Sequence, residues 1–229
     1  DLVSTFFSIG EEGIEDLLHG MNRVLKFKDY EKFVYTKKEI CENYVAPLVP
    51  TYEAWPPLDT EEISDDTIII HFRGGDMWDT DYGVHPEYTP FPYSFIQDVY
   101  EQYDNAVIVC QDQTSPLLRK FIVENSHKNN IKIISDSLIN DFNYIMNAPN
   151  VAQTGVGTFL PAIALMSSKV KNYHTCNNIL KAQLNHKFLE PHINVHVTEV
   201  NDDISFLGTG YGQENWTASS EQVKILLEN

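Results

Sequence analysis

Two hydrophobic periods alternate along the chain from residue 67 onwards, one typical of buried strands and one typical of amphipathic helices. Short apolar runs rich in Val and Ile indicate strands that are buried on both faces, and apolar residues three or four positions apart indicate helices. The pattern predicts strands over 67–72, 106–110, 131–134, 151–153, 170–174 and 193–200. It predicts helices over 93–103, 115–126, 138–146, 157–166, 177–186 and 219–227.

Strands that alternate with helices predict an α/β fold with a doubly wound parallel sheet. We therefore expect residues 65–200 to form a Rossmann-like domain. Residues 1–64 carry a separate pattern of a strand, a helix and a proline-rich acidic linker over 46–64, which predicts a small N-terminal α/β domain. Residues 201–229 are expected to form a C-terminal tail and helix.

The chain is strongly acidic, with 33 Asp and Glu against 16 Lys and Arg, so its formal net charge is −17. Such a surface repels phosphate backbones, which argues against nucleic acid and anionic membranes as partners. No run reaches the roughly 18 apolar residues that a membrane helix needs, so no membrane span is expected. The sparse cysteines (Cys41, Cys110 and Cys176) favour a reducing, cytoplasmic compartment. Because the chain begins at Asp1 without an initiator Met, we expect it to be part of a longer protein.

Polar residues and a glycine pair follow the first strand of the predicted sheet, in the segment 71–76 (HFRGGD). Ligands of open α/β sheets bind beyond the carboxyl ends of the strands. Strand alternation places His71 and Arg73 on one face and Phe72 on the other. Arg73 is one of only three arginines, and its planar fork of donors suits a diphosphate. For each residue alone, a core histidine and a surface salt bridge remain alternatives.

The second strand of the predicted sheet ends in amide and carboxylate groups, Gln111, Asp112 and Gln113. Asp112 and Gln113 are candidates to bind a base or a sugar hydroxyl. The alternative is that Asp112 prepares the N-terminus of the next helix, and the sequence leaves the two interpretations equal.

A glycine-containing segment, 154–159 (TGVGTF), connects a strand to an apolar helix. Backbone N–H groups around Gly155 and Gly157, together with the Thr158 hydroxyl, are typical of an anion site at a helix start. The segment lacks the Lys of a P-loop and the third glycine of a dinucleotide motif, which disfavours ATPases and ordinary dehydrogenases.

A metal site is a further alternative for the loop after the first strand, which holds Asp79, Asp81, His85 and Glu87. Acidic loops are usually solvated, so no metal is expected there. His196 falls on the predicted strand 193–200 and His192 directly precedes it, so the two do not form a helical metal-binding pair.

Segments 71–76 and 154–159 together resemble the fucosyltransferase superfamily, which has the GT-B fold and includes α-1,2-, α-1,6- and protein O-fucosyltransferases. The hallmark of that family is a strand followed by His-x-Arg-x-x-Asp, and a later Thr/Ser-x-Gly-Thr/Ser-Phe turn opens a helix. A glycine-rich loop before an N-terminal helix is similar to the stretch from Gly10 to Gly13.

The resemblance implies a metal-independent inverting glycosyltransferase, without a cofactor, that transfers a 6-deoxyhexose, usually L-fucose from GDP-fucose, to a glycan hydroxyl. It implies that Arg73 binds the donor β-phosphate. It does not identify the catalytic base, for which Asp76, Asp79 and Asp81 are candidates by position only. The other donor-binding residues that it implies are His71, Gly74, Asp112, Gln113, Gly155, Gly157, Thr158 and Phe159. The acceptor-side candidates are Gly10, Gly13, Trp78, Tyr82 and His85.

The chain departs from the family pattern at Gly74, where many relatives carry a second arginine. One guanidinium fewer leaves a UDP-linked donor, as in an L-rhamnosyltransferase, as an alternative to GDP-fucose. A non-catalytic module that binds a glycan or a nucleotide is the alternative outside the enzymes.

Overall fold

The computed structural model describes residues 62–81, 84, 88–136, 138–157, 159–177, 193–199 and 216–229. Its strands are β1 (Thr67–Phe72), β2 (Asn105–Cys110), β3 (Ile131–Ile134), β4 (Asn150–Gln153), β5 (Asn172–Cys176) and β6 (Asn194–Thr198). They form one sheet in the order β3-β2-β1-β4-β5-β6, and every neighbouring pair is parallel. The predicted parallel α/β sheet is confirmed. The predicted N-terminal domain, its linker and the helix predicted after residue 177 lie outside the described residues.

Helices cover both faces of this sheet. They are α1 (Tyr93–Tyr100), α2 (Pro116–Asn125), α3 (Leu138–Met146), α4 (Phe159–Met166) and α5 (Ser220–Glu228). Helices α1, α2 and α5 pack on one face with Ile68, Ile70 and Phe72, whereas α3 and α4 pack on the other face with Ile69 and Val107. This alternation along β1 is the reason that the strand reads as a continuous apolar run. None of the helices in the described ranges is long and apolar enough to cross a membrane.

Several element boundaries differ from the predicted ones, and three of these differences amount to two or three residues at the start or end of α1, β5 and α4. Helix α1 ends at Tyr100 because the backbone amides of Gln102 and Tyr103 donate to carbonyls three residues earlier, which forms a turn tighter than an α-helix. Strand β5 begins two residues late, because the Ser167 hydroxyl accepts from the amide of Val170 and holds that stretch in a turn. Helix α4 begins at Phe159 instead of residue 157.

Asparagines occupy the first position of three adjacent strands and bond to one another across the sheet. Asn172 Nδ2 donates to Asn150 Oδ1 at 2.7 Å, and Asn194 Nδ2 donates to Asn172 Oδ1 at 3.1 Å. Asn150 in turn donates to the Thr67 carbonyl at 3.0 Å. These bonds fix the register of β4, β5 and β6 against β1, and so they align the strand ends that form the site.

Replacing Asn172 with alanine is expected to lower the free energy of unfolding by about 1–3 kcal/mol, because it leaves the Asn150 amide oxygen buried without that donor. Urea unfolding at neutral pH measures the change. Asn147→Ala, which removes one bond from an exposed asparagine at the end of α3, is the matched control and should stay within about 0.5 kcal/mol of the wild type. Equal losses of unfolding free energy in the two variants would show that the bonds among Asn150, Asn172 and Asn194 do not hold the register.

Candidate functional site

The chain changes direction across the sheet between β1 and β4. The strands β2 and β3 follow β1 on one side, and β4, β5 and β6 lie on the other. The carboxyl ends of β1 and β4 therefore flank the topological switch point, where ligands of doubly wound sheets bind. Arg73 follows β1 and Thr154 follows β4, so the structure brings the first and third polar segments together.

The Arg73 guanidinium connects the parts of this edge. Its Nη1 donates to the Val156 carbonyl at 3.1 Å, and its carbon lies 4.2 Å from the centre of the Tyr88 ring. Its Nε and Nη2 donate to the two carboxylate oxygens of Asp76, at 3.2 and 2.6 Å. The side chain of Arg73 remains 27 % exposed, so a ligand from solution can reach it.

Asp76 occupies the fork of Arg73 with a bidentate ion pair, the arrangement that a phosphate would also adopt. The carboxylate lies on the short 3₁₀ turn Gly75–Met77 and is 60 % exposed. Exposed ion pairs contribute little to stability, about 0–1 kcal/mol. Loss of this ion pair would therefore cost little folding free energy.

The loop after β4 is held by a second loop of the protein. The Val156 amide donates to the Thr89 carbonyl at 2.9 Å, and the Phe91 amide donates to the Thr154 carbonyl at 2.8 Å. The Thr154 hydroxyl donates to the His71 carbonyl at 3.0 Å. Two backbone bonds to the segment 89–91 and one hydroxyl bond to His71 thus place the loop 154–157 beside the end of β1.

Close backbone approach explains the glycines of this loop. A Cβ atom at Gly155 would lie 2.8 Å from Met77 Cε and 3.1 Å from Pro90 Cα, so a larger residue there would require the Met77 side chain and the backbone at Pro90 to shift. A Cβ atom at Gly157 would lie 3.2 Å from Arg73 Nη1, which places the backbone of Gly157 directly beside the guanidinium.

His71 packs into the protein at the start of α4. Its ring centre lies 5.0 Å from that of Phe159. Burial, and secondly the charge of Arg73, lower the pKa of His71 to about 4. The imidazole is therefore neutral at physiological pH and adds no positive charge for a phosphate.

Asp112 belongs to the turn that follows β2. It accepts from the Thr114 amide at 2.8 Å and from the Thr114 hydroxyl, and that hydroxyl accepts from the Gly75 amide at 3.0 Å. These are the bonds of a carboxylate that organises a loop. A Cβ atom at Gly74 would clash with the Asp112 carboxylate, so a second arginine at this position would require that carboxylate to move. Gln113 lies exposed in the same turn.

Trp78 supports the turn that carries Asp76. Its indole Nε1 donates to the Arg73 carbonyl at 3.3 Å, and its ring meets the buried Trp216 edge-on at 5.5 Å. Trp216 donates to the Met77 carbonyl at 2.8 Å, so the segment before α5 is part of the same domain. The predicted site residues Gly10, Gly13, Tyr82, His85 and Thr158 lie outside the described residues.

The sequence reasoning did not single out three buried polar residues at or near this edge. Asp141, in the first turn of α3, is 6 % exposed and accepts from the Asp136 amide at 3.3 Å. Burial raises its pKa. Gln153 and Tyr173 lie directly behind the loop after β4. The sequence marks two of them only as polar residues in apolar surroundings, Asp141 within an amphipathic helix and Gln153 at the end of a buried strand.

No group of three or more His, Cys, Asp or Glu residues within the described part of the chain is placed to hold a metal ion. Both described cysteines, Cys110 and Cys176, are buried free thiols. Burial raises the pKa of each, so neither is an activated nucleophile.

Comparison of the chain with protein-family models, with curated proteins and with solved structures gives no match. The resemblance to the fucosyltransferase superfamily therefore depends on segments 71–76 and 154–159 alone.

Proposed function

We propose that the protein is an inverting glycosyltransferase of the GT-B type that binds the diphosphate of a nucleotide sugar at Arg73. The observation that carries the proposal is the convergence of Arg73 and the loop 154–157 at the switch point of the sheet. A partly exposed guanidinium beside glycine backbone at the start of a helix is suited to a diphosphate. On a chain of net charge −17, such a local cation is what an anionic donor requires.

In the proposed reaction, the oxygen of an acceptor hydroxyl attacks the anomeric carbon of the donor sugar. The bond between that carbon and the diphosphate oxygen breaks, and the nucleoside diphosphate leaves with the electron pair. Arg73 stabilises the negative charge that grows on the leaving group. The acceptor proton passes to a carboxylate, for which Asp76 is the candidate because phosphate binding at Arg73 releases it. The proposed donor is GDP-L-fucose, or a UDP-linked 6-deoxyhexose, and the proposed acceptor is a glycan.

Binding of a nucleoside diphosphate is the first expected result. In a thermal-shift panel of GDP, UDP, TDP and CMP, with and without Mg²⁺, one diphosphate should raise the unfolding midpoint. A ligand that binds only the folded state adds about 2.7 kcal/mol at 100 times its Kd. Asp76→Asn should bind that diphosphate several-fold more tightly, because a neutral amide competes less for the Arg73 fork. Lys171→Ala is the control, since it removes an exposed, ion-paired cation next to Asp65 at the opposite edge of the sheet.

Three results separate the alternatives. Stabilisation by GDP or by UDP identifies the donor class, whereas no stabilisation by any diphosphate refutes the proposal and favours a non-catalytic glycan-binding module. Unchanged affinity in Asp76→Asn would show that Asp76 does not compete for the arginine. A fall in donor turnover in Asp76→Asn despite tighter binding would identify Asp76 as the base.

A further inference from the structure

Two buried polar side chains lie behind the loop 154–157, on the side away from solvent. Gln153 is the last residue of β4 and is 3 % exposed, and Tyr173 lies on the neighbouring strand β5 and is 1 % exposed. The Tyr173 hydroxyl donates to Gln153 Oε1. Gln153 Nε2 donates to the Gly155 carbonyl and, at 3.1 Å, to the Gly157 carbonyl.

The protonation of the Tyr173 hydroxyl fixes the directions of these hydrogen bonds. Burial raises the pKa of Tyr173, so its hydroxyl keeps the proton and donates it. The amide oxygen of Gln153 must then face Tyr173, which turns both N–H bonds of the amide toward the loop. One amide thus holds two carbonyls of the loop, those of Gly155 and Gly157, on either side of Val156.

The carbonyl between those two is the one that accepts from Arg73. The Val156 carbonyl receives Arg73 Nη1 at 3.1 Å, and the Gly157 backbone lies against the same nitrogen. Because the carbonyls of Gly155 and Gly157 are turned inward, the carbonyl of Val156 can be turned to the arginine. The buried pair therefore determines the loop conformation that orients the guanidinium.

We propose that Tyr173 and Gln153 are positioning residues of the Arg73 site, which fix the loop 154–157 so that Arg73 is oriented for an anionic diphosphate. Neither side chain contacts the ligand in this scheme. The inference rests on the proposed function for the identity of the ligand, whereas the effect on the loop itself does not depend on it.

The test compares Tyr173→Phe, the double variant Tyr173→Phe with Gln153→Met, and the control Tyr100→Phe. The control removes another buried tyrosine hydroxyl, which donates to Asn130 Oδ1 at 2.9 Å on the other face of the sheet. The double variant replaces the hydrogen-bonded pair with apolar groups of similar shape, so neither side chain of the pair is left with an unpaired polar atom. It also removes the donor of the Gly155 and Gly157 carbonyls, which is the contact that the inference concerns.

Amide hydrogen exchange is measured at Val156 and Phe91, whose N–H groups bond the Thr89 and Thr154 carbonyls. In Tyr173→Phe these two amides should exchange about tenfold faster, which corresponds to one lost hydrogen bond. In the double variant they should exchange at least as fast, because the two bonds from Gln153 Nε2 are lost as well. The Kd of both variants for the GDP or UDP that stabilises the wild type should rise by a similar factor. Tyr100→Phe should change neither quantity.

Wild-type exchange at these two amides in the double variant would overturn the inference, because the loop would then hold its shape without the pair. Equally faster exchange throughout the sheet would also overturn it, since that pattern reports global destabilisation. If the wild type binds no nucleoside diphosphate, the proposed function fails, and the exchange rates still decide whether the pair positions the loop.

Discussion

Replacing Arg73 with alanine is expected to lower the turnover of the nucleotide-sugar donor by at least about 100-fold. The guanidinium is the one positive group that the described structure places between the ends of β1 and β4, and its proposed role is to stabilise the leaving diphosphate. Because that charge develops mainly in the transition state, kcat should fall more than the donor KM rises.

Release of GDP or UDP from the sugar nucleotide, with water as the acceptor, measures this effect without knowledge of the natural acceptor. Arg73→Lys is the informative partner variant, since it keeps the charge and loses the planar fork that meets Asp76. It should retain more activity than Arg73→Ala and less than the wild type. Lys171→Ala, which removes a cation at the other edge of the sheet, should have wild-type turnover.

An Arg73→Ala variant with wild-type turnover and donor affinity would exclude the proposed site. Loss of activity together with a large fall in the unfolding midpoint would instead indicate a structural role, since Arg73 also binds the Val156 carbonyl and stacks on Tyr88. An unchanged midpoint with lost turnover is the expected combination.

The sheet could be predicted from the sequence because its central strands β1 and β2 are apolar on both faces and the helices that cover it carry apolar residues at helical spacing. The placement of polar residues at strand ends followed from the same pattern, since parallel strands expose their carboxyl ends at one edge. For this reason the sequence could predict that Arg73 and the loop 154–157 lie at the same edge of the sheet.

The internal geometry of that edge could not be predicted. The ion pair between Arg73 and Asp76 depends on the turn through Gly74 and Gly75, whose shape the spacing of the residues does not specify. The support of the loop by Gln153 and Tyr173 joins two strands that are distant in sequence. A glutamine within an apolar strand carries no mark of its partners, so contacts of this kind require the fold.

Loss of stability in mild acid is the second large effect that we expect. The free energy of unfolding should fall as the pH drops from about 6.5 to about 4, because two histidines are held neutral in the folded protein. Burial is the main cause of the lowered pKa of His71 and of His174, each to about 4. The unfolded chain binds these protons near pH 6.5, so each histidine contributes up to about 3 kcal/mol that is lost across this window.

The surroundings of His174 explain its resistance to protonation. Its Nε2 lies 2.7 Å from the Tyr103 hydroxyl, and its ring stacks on that of His196 with the centres 4.5 Å apart. The charge of His196 is the second cause of the low pKa of His174. Asp141 acts in the opposite direction, because burial raises its pKa and the folded state gains stability when that carboxyl takes a proton.

Urea unfolding at several pH values between 7.5 and 4.5 measures the loss. His174→Gln and His71→Gln remove one titrating group each, so each should flatten the pH dependence by about half of the histidine contribution. His127→Gln, at an exposed position after α2, should leave the dependence as it is in the wild type. A wild-type protein with constant stability across this range would show that His71 and His174 are not held neutral. Equal flattening by all three substitutions would show that the effect does not arise at His71 and His174.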